Sequence, residues 1–256
     1  MTQNNRERLR QAQAAAAKQQ RLNRIIGVGA GILVVVLIAV FIGVLVQNQA
    51  HQAANNSSAI TPPDATADGK AVVISPGVAQ QGAPVVELFF DYQCPVCKQF
   101  EGYYGDTLTS LAASGDIELH YRTMNFLDTN LGNDASMRAA IAATCADTVG
   151  KYSEFHNEIY VEQPETEGDG YDDTVLRDSI PATVGITGAD LTTFQACYDN
   201  QATKAFVTTM GDLGVQDMQS VNSRVATPTV FVNGKDLPLA NFSDPTALLD
   251  LIKQNA

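Results

Sequence analysis

FFDYQCPVCKQF, residues 89–100, places Cys94 and Cys97 two residues apart, at the junction between an apolar run and a helix-like pattern. Cysteines at this spacing can hold a metal, form a staple, or shuttle electrons as dithiol and disulfide. Upstream, PVVELFF (Pro84–Phe90) is nearly continuous in apolar residues, which suits a strand covered on both faces. Downstream, Phe100, Tyr104, Leu108 and Leu111 recur at spacings of 4, 4 and 3, which predicts a helix from Pro95 to Ala113. Tyr103, Tyr104 and Phe100 are expected in its core-facing side. Cys94 therefore ends a strand and Pro95 opens a helix, where proline's missing N–H would have no intrahelical partner. The Cys94 sulfur then sits at the helix N-terminus, where free N–H groups and the dipole favour the thiolate that attacks disulfides. Cys97, one turn along, can close a ring with Cys94 and is expected to be the more buried of the two. Cys94 would attack and be attacked, and Cys97 would resolve the mixed disulfide.

A lone C-x-x-C also looks like half a zinc site, which needs two further ligands. No second C-x-x-C and no H-x₃₋₅-H is present, and Cys145, Cys197, His120 and His156 are scattered candidates. A purely structural bridge between Cys94 and Cys97 would close too small a loop to constrain the unfolded chain much. The redox reading is the one the local pattern favours.

The surrounding segments describe an α/β domain. AVVIS (Ala71–Ser75) and IELHYRTM (Ile117–Met124) read as strands, and Asn133 to about Asn222 reads as largely helical. An acidic loop, EQPETEGDGYDD (Glu162–Asp173), interrupts that helical block. TPTVFVNGKDL (Thr227–Leu237) returns to strand, with Asn233-Gly234 as a hairpin signal, and a last helix starts near Asp244-Pro245. Strand, helix and strand, a helical block, then strands and a helix make an α/β domain with an all-α insertion at about 130–222.

The start of the chain sets the compartment. IIGVGAGILVVVLIAVFIGVLV (Ile25–Val46) is a run of 22 uncharged residues, long enough at about 1.5 Å per residue to span the roughly 30 Å hydrocarbon core. Six basic residues and one acidic residue precede it, and no Lys or Arg follows until Lys70. Basic flanks stay in the cytoplasm, so the N-terminus is expected inside and everything from Gln47 outside. A cleaved signal peptide is the rival reading; the run is long for one, and QNQAHQAANN fits a cleavage site poorly. The organisation is then a basic cytoplasmic tail (1–24), a transmembrane anchor (25–46), a tether (47–69) and one domain (70–256). The tether is expected to reach about 25–30 Å as a coil. The exported part carries 10 basic and 27 acidic residues. That balance argues against nucleic acid as a partner and gives no support to binding anionic lipid surfaces. All four cysteines fall on the exported side, where disulfides persist.

F-x-D-Y-x-C-P-x-C-K followed by T-P-T-x-F-V-N-G resembles the DsbA-like branch of the thioredoxin superfamily, of the membrane-anchored bacterial and actinobacterial type, over about Val72 to Lys253. The resemblance implies a thioredoxin fold carrying a helical insertion, and a protein disulfide oxidoreductase with no cofactor and no metal. Its partners would be exported polypeptides with free thiols and a separate reoxidant, and the chain is expected to act as a monomer. Carried over to this sequence, Thr227-Pro228 would be a cis pair facing Cys94 and Cys97. Proline makes that bond accessible, removes an N–H beside the sulfurs, and leaves the Thr227 backbone free to pair with an extended substrate. Cys145 and Cys197, in AATCADTVGKYSEF and FQACYDNQ, resemble a structural disulfide of the family. Two free thiols or a second redox pair are the other readings. His156 reads as a packing residue on a helix of the insertion.

The sequence departs from the family pattern in three places. Val96 stands where strongly oxidising relatives place His, and Thr227 before the cis proline occurs in isomerase-like relatives as well as oxidases. Leu88 stands where many thioredoxin-fold enzymes bury a carboxylate; Glu87 is one residue off and points to the opposite face. Asp91, three residues before Cys94, could tune it or serve as a turn or capping residue. Oxidase, isomerase and reductase directions stay open at this point, beside a non-catalytic module that binds a metal or a folding partner.

Overall fold

The computed structural model describes residues 59–256 except 223, 239, 241 and 243. The expected tail, the anchor at 25–46 and the first part of the tether lie outside the described residues. Among those described, no helix is long and apolar enough to cross a membrane.

Five strands form one sheet in the order β1–β3–β2–β4–β5. They are β1 (Val72–Ile74), β2 (Val85–Phe90), β3 (Glu118–Thr123), β4 (Thr229–Val232) and β5 (Lys235–Asp236). β2 and β3 are parallel and the other neighbours antiparallel. A parallel pair needs a crossover, and the stretch after the cysteines supplies it. It runs as α1 (Pro95–Phe100), one π-helical turn (Glu101–Gly105) and α2 (Asp106–Ser114). The single helix expected there is thus interrupted by the π turn. Tyr103, expected in the core, is 66% exposed instead. Phe100, Tyr104 and Leu108 take the inward face, and adjacent helical residues project about 100° apart, so Tyr103 points away. At the end of α2, Gly115 adopts φ 79°. A side chain there would meet the Val78 carbonyl oxygen at 2.6 Å, so glycine is needed to turn the chain into β3.

The β2 run is buried on both faces, as its composition suggests. Val86, Leu88 and Phe90 pack into the main core, whereas Phe89 faces Met124, Met218 and Phe231 on the other side. Asn233 and Gly234 take φ 48° and 76°, the left-handed pair that a two-residue hairpin between β4 and β5 requires.

Between β3 and β4 lie α3 (Phe126–Leu131), α4 (Ala135–Asp147), α5 (Tyr152–Val161), α6 (Ile180–Thr183), α7 (Gly188–Asp199) and α8 (Lys204–Asn222). α4 is buried nearly all round, and its alanines let α5, α7 and α8 pack closely against it. Cys145 of α4 is joined to Cys197 of α7, with Cα atoms 5.7 Å apart.

Two features tie the insertion and the N-terminal segment to the sheet. Ile60 N donates to Ala202 O at 2.8 Å, and Asp64 N donates to Asp147 Oδ2 at 2.9 Å. Ala65 also bridges to Val72. Residues 60–66, read from sequence as tether, are therefore held on the domain, because their backbone groups find partners that composition does not reveal. The second feature is Arg122 on β3, which is buried, 2.9 Å from Glu87 and 2.7 Å from Asp217, with its guanidinium 4.6 Å above the Phe89 ring. Glu87 is thus the counter-ion of Arg122. We expect Arg122→Met to lower stability by about 2 kcal/mol, because it leaves two partly buried carboxylates without their shared cation. Urea unfolding at pH 7 checks this; a loss under about 0.5 kcal/mol would show the cluster to be neutral.

Candidate active site

The site forms where β2 ends and α1 begins. Cys94 has extended backbone angles, φ −76° and ψ 117°, and Pro95 takes the first helical turn. The N–H groups of Cys97 and Lys98 both donate to Cys94 O, at 3.1 and 3.2 Å. Cys94 and Cys97 are free thiols. Cys94 is 7% exposed and Cys97 1%, so the sulfur at the helix N-terminus is the more accessible. The Thr227–Pro228 peptide is cis. Cys94 Sγ donates to Thr227 O at 3.6 Å, which places that loop directly against the pair.

These surroundings drive the two thiols apart. Cys94 is lowered to about 6, chiefly by a hydrogen bond from the Cys97 thiol. The Cys97 and Val96 N–H groups and the Thr227 side chain assist, while burial opposes. Cys97 is pushed well above the usual thiol range, first by burial and then by its hydrogen bond and charge interaction with Cys94. Val96 is 53% exposed and supplies its N–H alone to this arrangement. We expect the thiolate absorbance of the reduced protein to fall away as pH drops through about 6, so that Cys94 is mostly ionised at pH 7. An absorbance midpoint above about 8, the range of an unperturbed thiol, would contradict this.

The loop between β2 and α1 is pinned by side chains that sequence reasoning did not single out. Gln163 Nε2 donates to Tyr92 O and Cys94 O at 2.7 and 3.1 Å, and Tyr171 OH donates to Tyr92 O at 2.6 Å. Both lie in the acidic stretch Glu162–Asp173. A glutamine and a tyrosine within so charged a loop were the available signal. Asp91 is buried and acts in the turn. It accepts from Gln93 N at 2.9 Å, Ser136 Oγ at 2.6 Å and Leu127 N at 3.4 Å, and its own carbonyl accepts from Cys94 N at 3.0 Å. Burial pushes its carboxyl up to about 7, against the hydrogen bonds from Ser136, Gln93 and Leu127. His156 packs on α5 as expected, but it is also polar-bonded, 3.0 Å from Tyr92 OH.

Among the described residues, no group of three or more His, Cys, Asp or Glu is placed to hold a metal ion. A reactive dithiol beside a cis-proline loop, in a sheet crossed by α1 and α2, suits thiol exchange. A family model described as Thioredoxin matches residues 78–253. The chain belongs to the thioredoxin family. Within the family it is DsbA-like. It is 25% identical over 195 residues to the Disulfide bond formation protein D of Bacillus subtilis (strain 168), covering 75% of this chain and 81% of that protein. The structure of DsbA from Mycobacterium tuberculosis in its reduced form is similar, at TM-score 0.56 and 26% identity, over 73% of this chain and 92% of that one. MdbA of Corynebacterium diphtheriae, described as a thiol-disulfide oxidoreductase, shares the fold at TM-score 0.61 and 20% identity, over 75% of this chain and 92% of that one.

In this thioredoxin-family chain Leu88 is fully buried in the main core. The position where many relatives bury a carboxylate is therefore apolar, and the nearest buried carboxylate along the chain is Asp91, in the turn.

Proposed function

We propose that this DsbA-like thiol–disulfide oxidoreductase works outside the cytoplasm as an oxidase that introduces disulfides into exported polypeptides. The observation that supports the oxidase direction is the similarity to the Disulfide bond formation protein D of Bacillus subtilis, and the asymmetry of the pair, with Cys94 lowered to about 6 and Cys97 raised, is in line with it. A stabilised Cys94 thiolate favours the reduced enzyme, and therefore makes the oxidised form give up its disulfide readily.

The chemistry follows from that asymmetry. A substrate thiolate attacks Cys94 Sγ of the Cys94–Cys97 disulfide, and Cys97 leaves and takes up a proton. A second substrate thiolate then attacks the substrate sulfur of the mixed disulfide, and Cys94 departs as a thiolate. The substrate loses two electrons and two protons, and the enzyme holds the electrons as a dithiol until another protein or a small oxidant removes them. Thr227, with its carbonyl beside Cys94, offers backbone to an extended substrate strand.

The compartment rests on the apolar run 25–46 and the basic residues before it. With the N-terminus inside, the run would anchor the protein and hold the catalytic domain near the outer membrane surface. A membrane-impermeant maleimide should label Cys94 in intact cells after reduction; labelling only after lysis would sink this placement. The direction is tested by the reduction potential of the Cys94–Cys97 pair. A value near about −120 mV supports the oxidase, and one near about −270 mV would assign a reductase instead.

A further inference from the structure

Opening the active-site disulfide makes Cys97 a leaving group in a place where it is 1% exposed. Burial holds that thiol well above the usual range, so its sulfur takes up a proton as the bond to Cys94 breaks. Cys94 is bonded to the incoming sulfur at that moment and has no proton to give. A buried acid lies on the same face of the same helix. Glu101 N donates to Cys97 O, so the two side chains stand one turn apart, with Cβ atoms about 5–6 Å from each other.

The Glu101 side chain is 7% exposed, and Nε2 of the fully buried His156 stands 3.4 Å from its Oε1. A proton held between the two spares the interior an uncompensated charge. Their other neighbours are phenols. Burial pushes the Tyr160 phenol well up and the charges of Cys97 and then Glu101 add to it, so Tyr160 borders both groups. Tyr121 is raised in the same way, first by burial and then by the Glu101 charge. His156 Nδ1 is 3.0 Å from Tyr92 OH, in the loop that carries Cys94. The Lys98 ammonium donates to Val161 O and Gln163 O at 3.4 and 3.2 Å, which leaves His156 as the group paired with Glu101. Gly105 makes room for the carboxylate, since a Cβ there would meet Glu101 Oε2. Asp91, also buried, is committed elsewhere, because its carboxyl accepts from Ser136 Oγ, Gln93 N and Leu127 N.

We propose that Glu101, backed by His156, gives Cys97 its proton when the active-site disulfide opens and takes it back when the disulfide re-forms. As a substrate thiolate bonds to Cys94 Sγ, the Cys94–Cys97 bond breaks. Its electron pair goes to Cys97, and the proton of the Glu101–His156 pair follows. In reoxidation a disulfide oxidant first forms a mixed disulfide with Cys94. Cys97 then returns its proton to Glu101 and attacks Cys94 Sγ, and the oxidant's sulfur leaves with the electron pair. The buried pair ends each cycle as it began, so no net proton has to cross the protein to reach it. The assignment rests on dithiol exchange at Cys94 and Cys97 and holds for either direction of electron flow.

The test times two steps with glutathione as the thiol. Opening of the oxidised full-length chain makes Cys97 leave, and should be about 100-fold slower in Glu101→Gln. Glu101→Asp, which keeps a carboxyl, should recover about tenfold of that loss. The second step is release of glutathione from Cys94 in Cys97→Ala, which involves no Cys97 sulfur. Adding Glu101→Gln to that variant should change its rate by less than about twofold. A merely structural role would slow both steps. Equal opening rates in wild type and Glu101→Gln, or equal slowing of both steps, would overturn the proposal. A loss found in Asp91→Asn and not in Glu101→Gln would move the proton to Asp91 and overturn it too. If Glu101→Gln fails to fold, wild type decides: heavy water should slow opening about twofold more than release, and the same effect on both steps would refute the transfer. No opening by glutathione at all would sink the dithiol-exchange reading itself, whereas equal opening rates sink this proposal alone.

Discussion

Cys97→Ala converts the protein into a trap: turnover falls by a factor on the order of 10³ or more, and exported polypeptides accumulate as mixed disulfides on Cys94. The geometry dictates the result. Cys94 is the accessible sulfur, is lowered to about 6 and is therefore a thiolate at neutral pH. It still exchanges with disulfides of other proteins, but the one thiol placed to release it internally is gone. Non-reducing gels of envelope extracts should show a ladder of high-mass adducts that collapses with dithiothreitol. Trapping should weaken as pH falls through about 6, when the attacking sulfur is protonated. A Cys94→Ala variant should show no adducts. Adducts in that variant, or none in Cys97→Ala, would refute the division of labour between the two sulfurs.

Removing the second cysteine pair, in a Cys145→Ala/Cys197→Ala variant, should lower the stability of the reduced-site domain by about 4 kcal/mol in the chain-entropy estimate for the loop it closes. That loop spans a separation of 52 residues, and both ends lie in helices at the centre of the insertion. The Cys145 sulfur also lies 3.7 Å from Thr203 Oγ1, which is itself 2.7 Å from Thr144 Oγ1, so the cross-link sits inside a buried polar contact. Urea unfolding of both proteins with Cys94 and Cys97 held reduced measures the difference. A loss below about 1 kcal/mol would mean that the denatured chain keeps these helices together without the bond. The thiolate titration of Cys94 should stay near about 6 if the folded insertion still presents Gln163 and Tyr171 to the active-site loop.

Much of the architecture is legible in the sequence. Strand β2 followed from its apolar run, α1 and α2 from the spacing of Phe100, Tyr104 and Leu108, and the last hairpin from Asn233-Gly234. The approach of Thr227-Pro228 to Cys94 came from motif resemblance, because nothing local in either segment encodes their meeting. The failures have the same origin. Tyr103 reads as core on its aromatic character, whereas its place next to Tyr104 turns it off the inward face. Residues 60–66 looked like tether because their backbone hydrogen bonds go to Ala202 and Asp147, far along the chain.

What the sequence by itself determined is the chemistry at short range. A cysteine capping a helix opened by proline, a second cysteine one turn on, and a charge-flanked apolar run are all readable from neighbours. Only the tertiary structure decided which distant groups complete that chemistry. Gln163 and Tyr171 hold the loop across separations of 69 to 79 residues, and Glu87 serves Arg122 because β2 and β3 lie side by side. Glu101 lies buried 3.4 Å from His156 because α5 packs over the π turn. Periodicity and turn preference arise from a residue's own backbone and its nearest neighbours. Burial of a charge depends on which segments pack together, and that is a property of the whole chain.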